Sequence, residues 1–223
     1  LNNPNMVPLL EESFQQFLPT LRKVIGSTFT KLQVIVKIGT IYLSKDKPNY
    51  PGGSWHIEGM PYENIAATCI HYVDVRGITD SFLEFRKPVY VNENNVDYPQ
   101  SDTVYTTHHY GIEEGSHHDG VMNRYLGTIK CTEGASVVFP NILQHRVKEF
   151  SLSGESGIRT ILCFFVIDPS KRIISTEDVP KQQNIFKVEE AHHYREKLMY
   201  HRKYFVNMLN EEVFERPFSL CEH

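Results

Sequence analysis

The chain is poor in cysteine and free of long apolar runs, and each shortage closes off a class of protein. Its four cysteines, Cys69, Cys131, Cys163 and Cys221, lie far apart with no Cys-x-x-Cys pair. That excludes a disulfide framework. Cys69 and Cys163 sit inside apolar, strand-like runs, so reduced, buried thiols in an intracellular and cytoplasmic protein are expected. No stretch approaches the roughly 18 apolar residues that cross a bilayer, so no membrane insertion is expected. Basic excess is also missing: a net charge of -4 and a pI near 6.3 lack the positive field that holds nucleic-acid phosphates, and no nucleic-acid partner is expected. A signal-peptide pattern is absent, and the chain does not begin with Met, which suits a piece of something longer.

What is there suffices for one core. With 223 residues, 40% hydrophobic and 22% charged, the composition is that of an ordinary globular protein and predicts a single domain over residues 1–223. Residues 1–28 carry Leu9, Leu10, Phe14, Phe17, Leu18, Leu21, Val24 and Ile25 at three- and four-residue steps, interrupted near Pro19. This predicts a helical support laid on one face of a sheet. From Lys31 the period changes. Runs dense in β-branched residues at 32–43, 64–75, 78–85, 125–130, 135–139, 145–150 and 158–167 predict short strands, with turns at Glu133-Gly134 and Ser151–Gly157. Many short strands with helices at the ends predict a mainly β protein of jelly-roll, cupin-like type, its core over 29–183. Residues 184–223 are expected as a C-terminal helical region, helical over 187–214, with an apolar stripe of Leu198, Met199, Phe205, Leu209 and Val213. His193 and His201 share a face there, but no Glu stands in a His-Glu-x-x-His frame. The polar stretch 91–103 and the His-rich stretch 103–120 are expected as loops or a hairpin at a site rim.

Within the run Tyr50-Pro-Gly-Gly-Ser-Trp-His-Ile-Glu-Gly-Met60, His56 and Glu58 stand two residues apart, on one face if the segment is extended. The pair alone is weak, because 11 His and 27 acids in 223 residues give about one His-x-acid match by chance. Partners strengthen it. His145 opens a later strand, and Arg159 lies on the strand after that. Two histidines and one carboxylate on one face of an iron leave positions open, the arrangement of non-haem Fe(II) oxygenases. An arginine fork in the same barrel mouth can hold a distal carboxylate with two hydrogen bonds. A rival ligand set is His117, Asp119 and His145, which leaves little chain for the strands that normally intervene. Blander readings also exist: His56 capping a turn, Glu58 solvated, Arg159 paired with Glu155 or Glu149.

With His56-Ile-Glu58, the phrase Gly134-Ala-Ser-Val-Val-Phe-Pro-Asn141 leading to His145, and Arg159 before an apolar strand, the chain resembles the Fe(II)/2-oxoglutarate-dependent dioxygenases. Over residues 30–183, the Tyr50–Met60 run with Phe139-Pro-Asn-Ile-Leu-Gln-His-Arg146 and Phe164-Phe-Val-Ile-Asp-Pro169 resembles more closely a mostly fungal family known only as a domain of unknown function. The resemblance implies a double-stranded β-helix in which His56, Glu58 and His145 bind Fe(II) and Arg159 holds 2-oxoglutarate, with no catalytic residue beyond the metal ligands. It implies oxidation of a small molecule, amino acid or peptide by O2, with hydroxylation as the default outcome and succinate and CO2 released. Two departures stand out. The acid is Glu where most of the superfamily has Asp, and the usual Arg-x-Ser/Thr hydroxyl is missing, so Thr68 or Tyr72 on an adjacent strand would supply it. Asn141 and Gln144 are candidate supports for the ligands, and Trp55, Tyr62 and Arg76 candidate pocket residues. The 91–120 stretch, with Tyr105, His108, His109 and Tyr110, suits an amine- or amide-bearing substrate. The alternatives are an iron oxygenase that uses no 2-oxoglutarate and a jelly-roll binding module without catalysis.

Overall fold

The runs at 34–43, 65–76 and 157–167 are rich in Val, Ile, Thr and aromatic residues, which lose χ1 freedom in a helix and pack well on a pleated surface. They form the three longest strands among the described residues. The structure, a computed structural model, describes residues 5–26, 29–90, 103–111, 119–175, 177–179 and 187–219. In chain order the elements are helices α1 (Met6–Gln15) and α2 (Leu18–Ile25), then strands β1 (Val34–Leu43), β2 (Asn49–Tyr50), β3 (Ile65–Arg76) and β4 (Phe82–Pro88). Helix α3 (Thr103–Tyr110) follows, then β5 (Asp119–Val121), β6 (Asn123–Lys130), β7 (Ser136–Pro140), β8 (Gln144–Val147), β9 (Phe150–Ser151) and β10 (Gly157–Ile167). Helix α4 (Val188–Leu209) and strand β11 (Pro217–Ser219) close the chain.

The protein is mainly β. Four strands form an antiparallel sheet in the order β1-β10-β3-β7, and three form a second in the order β6-β4-β8. A one-residue bridge between His56 and His145 lays the segment before Glu58 along the free side of β8. Alternation decides which side chains meet. Ile70 and Tyr72 from β3, Cys163 and Phe165 from β10 and Phe139 from β7 face Leu83 and Phe85 from β4 in one buried cluster between the sheets. The opposite face of the first sheet, with Ala67, Cys69, Leu162, Phe164 and Val166, is covered by Phe17 and Leu21 of the N-terminal helices. Pro19 sits in the first turn of α2, where a missing N–H costs nothing, so the expected interruption is a break between two helices.

Gly77 shows how tightly the chain turns between β3 and β4. Its φ is +62°, and a Cβ there would lie 2.0 Å from the Ser156 carbonyl oxygen. Only glycine fits that approach.

One expectation is corrected. Residues 103–110, read as loop or hairpin, form α3. Its sequence Thr-Val-Tyr-Thr-Thr-His-His-Tyr is made of β-branched and aromatic residues with weak helix preference and no apolar stripe, so local pattern gave no sign of it. Residues 91–102 and 112–118, including His117 and His118, lie outside the described residues. At the C-terminus α4 is exposed from residue 188 to 204, with His192, His193 and His201 all at the surface. It continues into a π-helical turn at Asn210–Phe214 whose Phe214 is buried. Among the described residues no helix is long and apolar enough to cross a membrane.

Candidate metal centre

His56 and His145 meet because their backbones do. His56 N–H donates to the His145 carbonyl at 3.2 Å, and His145 N–H donates to the His56 carbonyl at 3.0 Å. This reciprocal pair sets both side chains on one side, with ring centroids 4.4 Å apart. Gly53 N–H, donating to the Val147 carbonyl at 2.9 Å, brings the glycine-rich loop onto the same strand first.

Glu58 lies past the bridge, where no strand partner is left, and a side chain substitutes for one. Asn141 Oδ1 accepts from Glu58 N–H at 2.8 Å, while Asn141 Nδ2 donates to the Glu58 carbonyl at 2.9 Å and to the Ile65 carbonyl at 3.2 Å. Gly59 then turns the chain with φ +72°; a Cβ there would meet Ile65 Cδ1 at 2.6 Å. Glu58 Oε1 thereby comes within 3.3 Å of His145 Nε2 and 3.7 Å of His56 Nε2. The three ligand atoms all lie within 4.8 Å of one another. Two ligands each about 2.1 Å from an ion and at right angles are about 3 Å apart, so the cluster is close to the size a bound ion requires.

Electrostatics prepares the same set. Burial would raise the Glu58 pKa, but hydrogen bonds and charge from His145 and His56 outweigh it and hold the carboxyl well below the usual range. Burial lowers the His145 pKa, against the pull of Glu58, and favours the neutral ring. For His56 burial also pulls downward, yet contact with Glu58 prevails and the net shift is upward. An ionised acid and imidazoles with a free lone pair are the states that ligate metal, so Glu58 and His145 are held in the ligating form, while His56, drawn toward its protonated form by Glu58, gives up a proton to a metal. His56 Nδ1 is 2.8 Å from the Ser54 carbonyl and donates to it, which leaves Nε2 turned toward Glu58. His145 is 4% exposed, and among the described residues its Nδ1 makes no hydrogen bond of ordinary geometry. Phe139 and Phe85 pack on its ring at centroid distances of 4.8 and 6.3 Å.

Arg159, on β10, points into the interior between the sheets. It is 3% exposed, and among the described residues it pairs with no carboxylate; Glu155 is bound instead to Lys45. Its Nε donates to Ser81 Oγ at 3.1 Å, its Nη2 lies 3.6 Å from Cys131 Sγ, and its guanidinium stands 5.3 Å from the centroid of the Tyr72 ring. Cys131 in turn donates to the Tyr72 hydroxyl at 3.2 Å. Burial and the neighbouring Cys131 push the Tyr72 pKa far upward, so the phenol keeps its proton. Four residues along β10, the Cys163 thiol is pushed up to about 12 by burial first and by Glu58 next, with Lys37 and Arg159 opposing. It lies within the fields of both the triad and the arginine. Thr68 is fully buried in the same interior, and among the described residues its hydroxyl has no hydrogen-bond partner.

The remaining candidates lie elsewhere. Trp55 is sandwiched outside the sheet between Arg86 and Arg146, at 4.7 and 4.6 Å from the indole. Arg76 is exposed and held by Asp74 at 2.7 Å, and Tyr62 is 65% exposed. Of the rival ligand set, His117 falls outside the described residues. Gln144 is fully buried but faces away from the triad, accepting from Arg86 at 2.7 Å and donating to Asn210 at 2.6 Å. It ties the C-terminal turn to the sheet. Ser81 escaped sequence reading because nothing local marks a partner 78 residues from Arg159. Lys37 also escaped it, although it is the one charged residue in the apolar run 34–43.

A family described as a protein of unknown function, DUF4246, matches residues 8–190. No curated protein matches the chain. A solved structure described as "Bacillus endospore appendages form a novel family of disulfide-linked pili" is similar over 63% of this chain and 95% of that one, at 10% identity and a TM-score of 0.25, a likeness too small to carry an argument.

Proposed function

Because this chain belongs to the DUF4246 family, whose description assigns no activity, we propose its function from its own site: a non-haem Fe(II)- and 2-oxoglutarate-dependent oxygenase acting on a small molecule, amino acid or peptide. The observation that carries this reading is the convergence of His56, Glu58 and His145 within 4.8 Å. Two further features support it. Strands alternate between the sheets as in a double-stranded β-helix, with β1, β10, β3 and β7 in one and β6, β4, β8 and the His56 segment in the other. A buried guanidinium on β10 that pairs with no carboxylate among the described residues is a costly arrangement unless a ligand supplies the anion.

When bound, Fe(II) and 2-oxoglutarate supply the oxidising chemistry, in which O2 delivers one oxygen to the substrate while 2-oxoglutarate becomes succinate and CO2. The chain's part is to hold and orient. His56 and His145 present Nε2 and Glu58 presents Oε1 to the metal; Ser54 fixes the His56 tautomer and Asn141 fixes the Glu58 backbone. Arg159 holds the far carboxylate of the cosubstrate, with Ser81 and Tyr72 as neighbours in place of the missing Arg-x-Ser/Thr hydroxyl. The free hydroxyl of Thr68 is a further donor to a polar ligand in that interior. Phe85, Phe139 and Phe165 exclude water around it.

The test is anaerobic titration of the protein with Fe(II) and 2-oxoglutarate, following the weak visible charge-transfer band of the chelate. The band is expected in the wild type and in His117→Ala, and lost in His56→Ala. Arg159→Ala should weaken 2-oxoglutarate binding at least tenfold without removing iron. A folded wild type that gives no band sinks the 2-oxoglutarate assignment; activity that survives Arg159→Ala selects an iron oxygenase without that cosubstrate.

A further inference from the structure

Lys37 stands near the middle of β1, in register with Cys163 of β10, and turns to the same interior. Its ammonium lies 5.9 Å from the centroid of the Phe165 ring. Its charge reaches both His56 and Cys163. The triad opens to solvent on the His56 side, where the side chain is 36% exposed against 5% for His145. Lys37 is exposed, on the edge strand of the same interior, whereas Arg159 is buried. Among the described residues Lys37 has no ion pair, unlike Lys31, Lys45 and Lys130, which each hold an acid.

The charges then decide the ligand. Resting on the reading above, the two charges of Fe(II) and the one on Arg159 are balanced by Glu58 and the two carboxylates of 2-oxoglutarate. Lys37 is left over at the entrance. An ammonium is a compact point charge on a flexible stem, suited to meeting an incoming anion and not to fixing a planar one in a closed cleft. We infer that Lys37 anchors an acidic group of the primary substrate, a carboxylate or phosphate on a small molecule or peptide that enters past His56.

The test uses the full chain with Mn(II) in the iron position and 2-oxoglutarate bound, under anaerobic conditions. Paramagnetic broadening of probe proton signals reports binding near the metal. The probes are N-acetylglycine against N-acetylglycinamide for the carboxylate, and N-acetyl-O-phosphoserine amide against N-acetylserine amide for the phosphate. The acidic member of at least one pair should bind about fivefold better than its neutral partner, the scale of one partly exposed charge pair, and the pair that responds names the anion. Lys37→Ala and Lys37→Met should abolish the preference while 2-oxoglutarate affinity stays within twofold; Met keeps the stem on Phe165. Equal binding of acid and amide in the wild type, or a preference that survives both substitutions, overturns the inference and leaves the iron reading intact. A tenfold fall in 2-oxoglutarate affinity also overturns it, by giving Lys37 to the cosubstrate. If the wild type takes up neither Mn(II) nor 2-oxoglutarate, the iron reading itself has failed and this one falls with it.

Discussion

Asn141 spends its whole amide on main chain: it receives Glu58 N–H and gives to the Glu58 and Ile65 carbonyls. Asn141→Ala strands three partly buried polar groups, and fully buried unsatisfied groups cost about 1–3 kcal/mol each, an upper limit here. Chelator competition for Fe(II) should show affinity reduced about 10- to 100-fold, the usual effect of losing a support behind a ligand; unchanged affinity would remove Asn141 from the site. Glu84 gives a prediction on pH. It is 4% exposed and faces Arg146 at 2.6 Å, Tyr125 at 3.1 Å and Lys148 at 3.7 Å. Burial would raise its pKa, but these partners outweigh burial and lower it. A lowered folded pKa means stability that is fully present above the unfolded value near 4.5 and lost as pH falls through the folded one. Glu84→Gln should therefore flatten the acid limb of the stability curve below about pH 4.5, measured by urea midpoints across pH. At this scale the sequence was legible where chemistry is spelled in one place, as in His56-Ile-Glu58. It was silent where a contact spans the chain, as between Arg159 and Ser81.

Elements were readable in proportion to their periodicity. The strands at 34–43, 65–76 and 157–167 and the helix at 188–209 follow the expected runs closely, because alternation and three-to-four spacing are local signals. Helix α3 was missed, since its residues favour strand and tertiary context decides. The N-terminal helices illustrate packing that pattern does foretell. Leu21 is fully buried against the outer face of the first sheet, with Phe14 and Phe17 on Phe164 at 5.2 and 5.7 Å. Leu21→Ala should cost about 2–5 kcal/mol, read as a lowered unfolding midpoint, with Fe(II) binding retained in the folded protein. Gly77→Ala places a methyl against Ser156 in a backbone region L-residues avoid; about 1–3 kcal/mol from φ alone is expected, with the clash added.

At the scale of the whole molecule, two sheets and two helical ends divide the labour. The N-terminal helices stiffen the first sheet from outside, and the C-terminal turn clamps the second through Gln144, Asn210, Arg86 and Glu215. The interior between the sheets is left for Arg159, Thr68, Tyr72 and the triad. That division was legible in outline from helices at the ends and strands between. The placement of Trp55 was not, because a residue next to a ligand in an extended segment points to the opposite side, and its two arginines come from other strands. The indole is the chain's one tryptophan, so all tryptophan emission arises one peptide unit from His56. Metal uptake therefore comes with a built-in optical gauge: Co(II) should quench that fluorescence saturably in the wild type and leave it bright in His56→Ala, with no label attached.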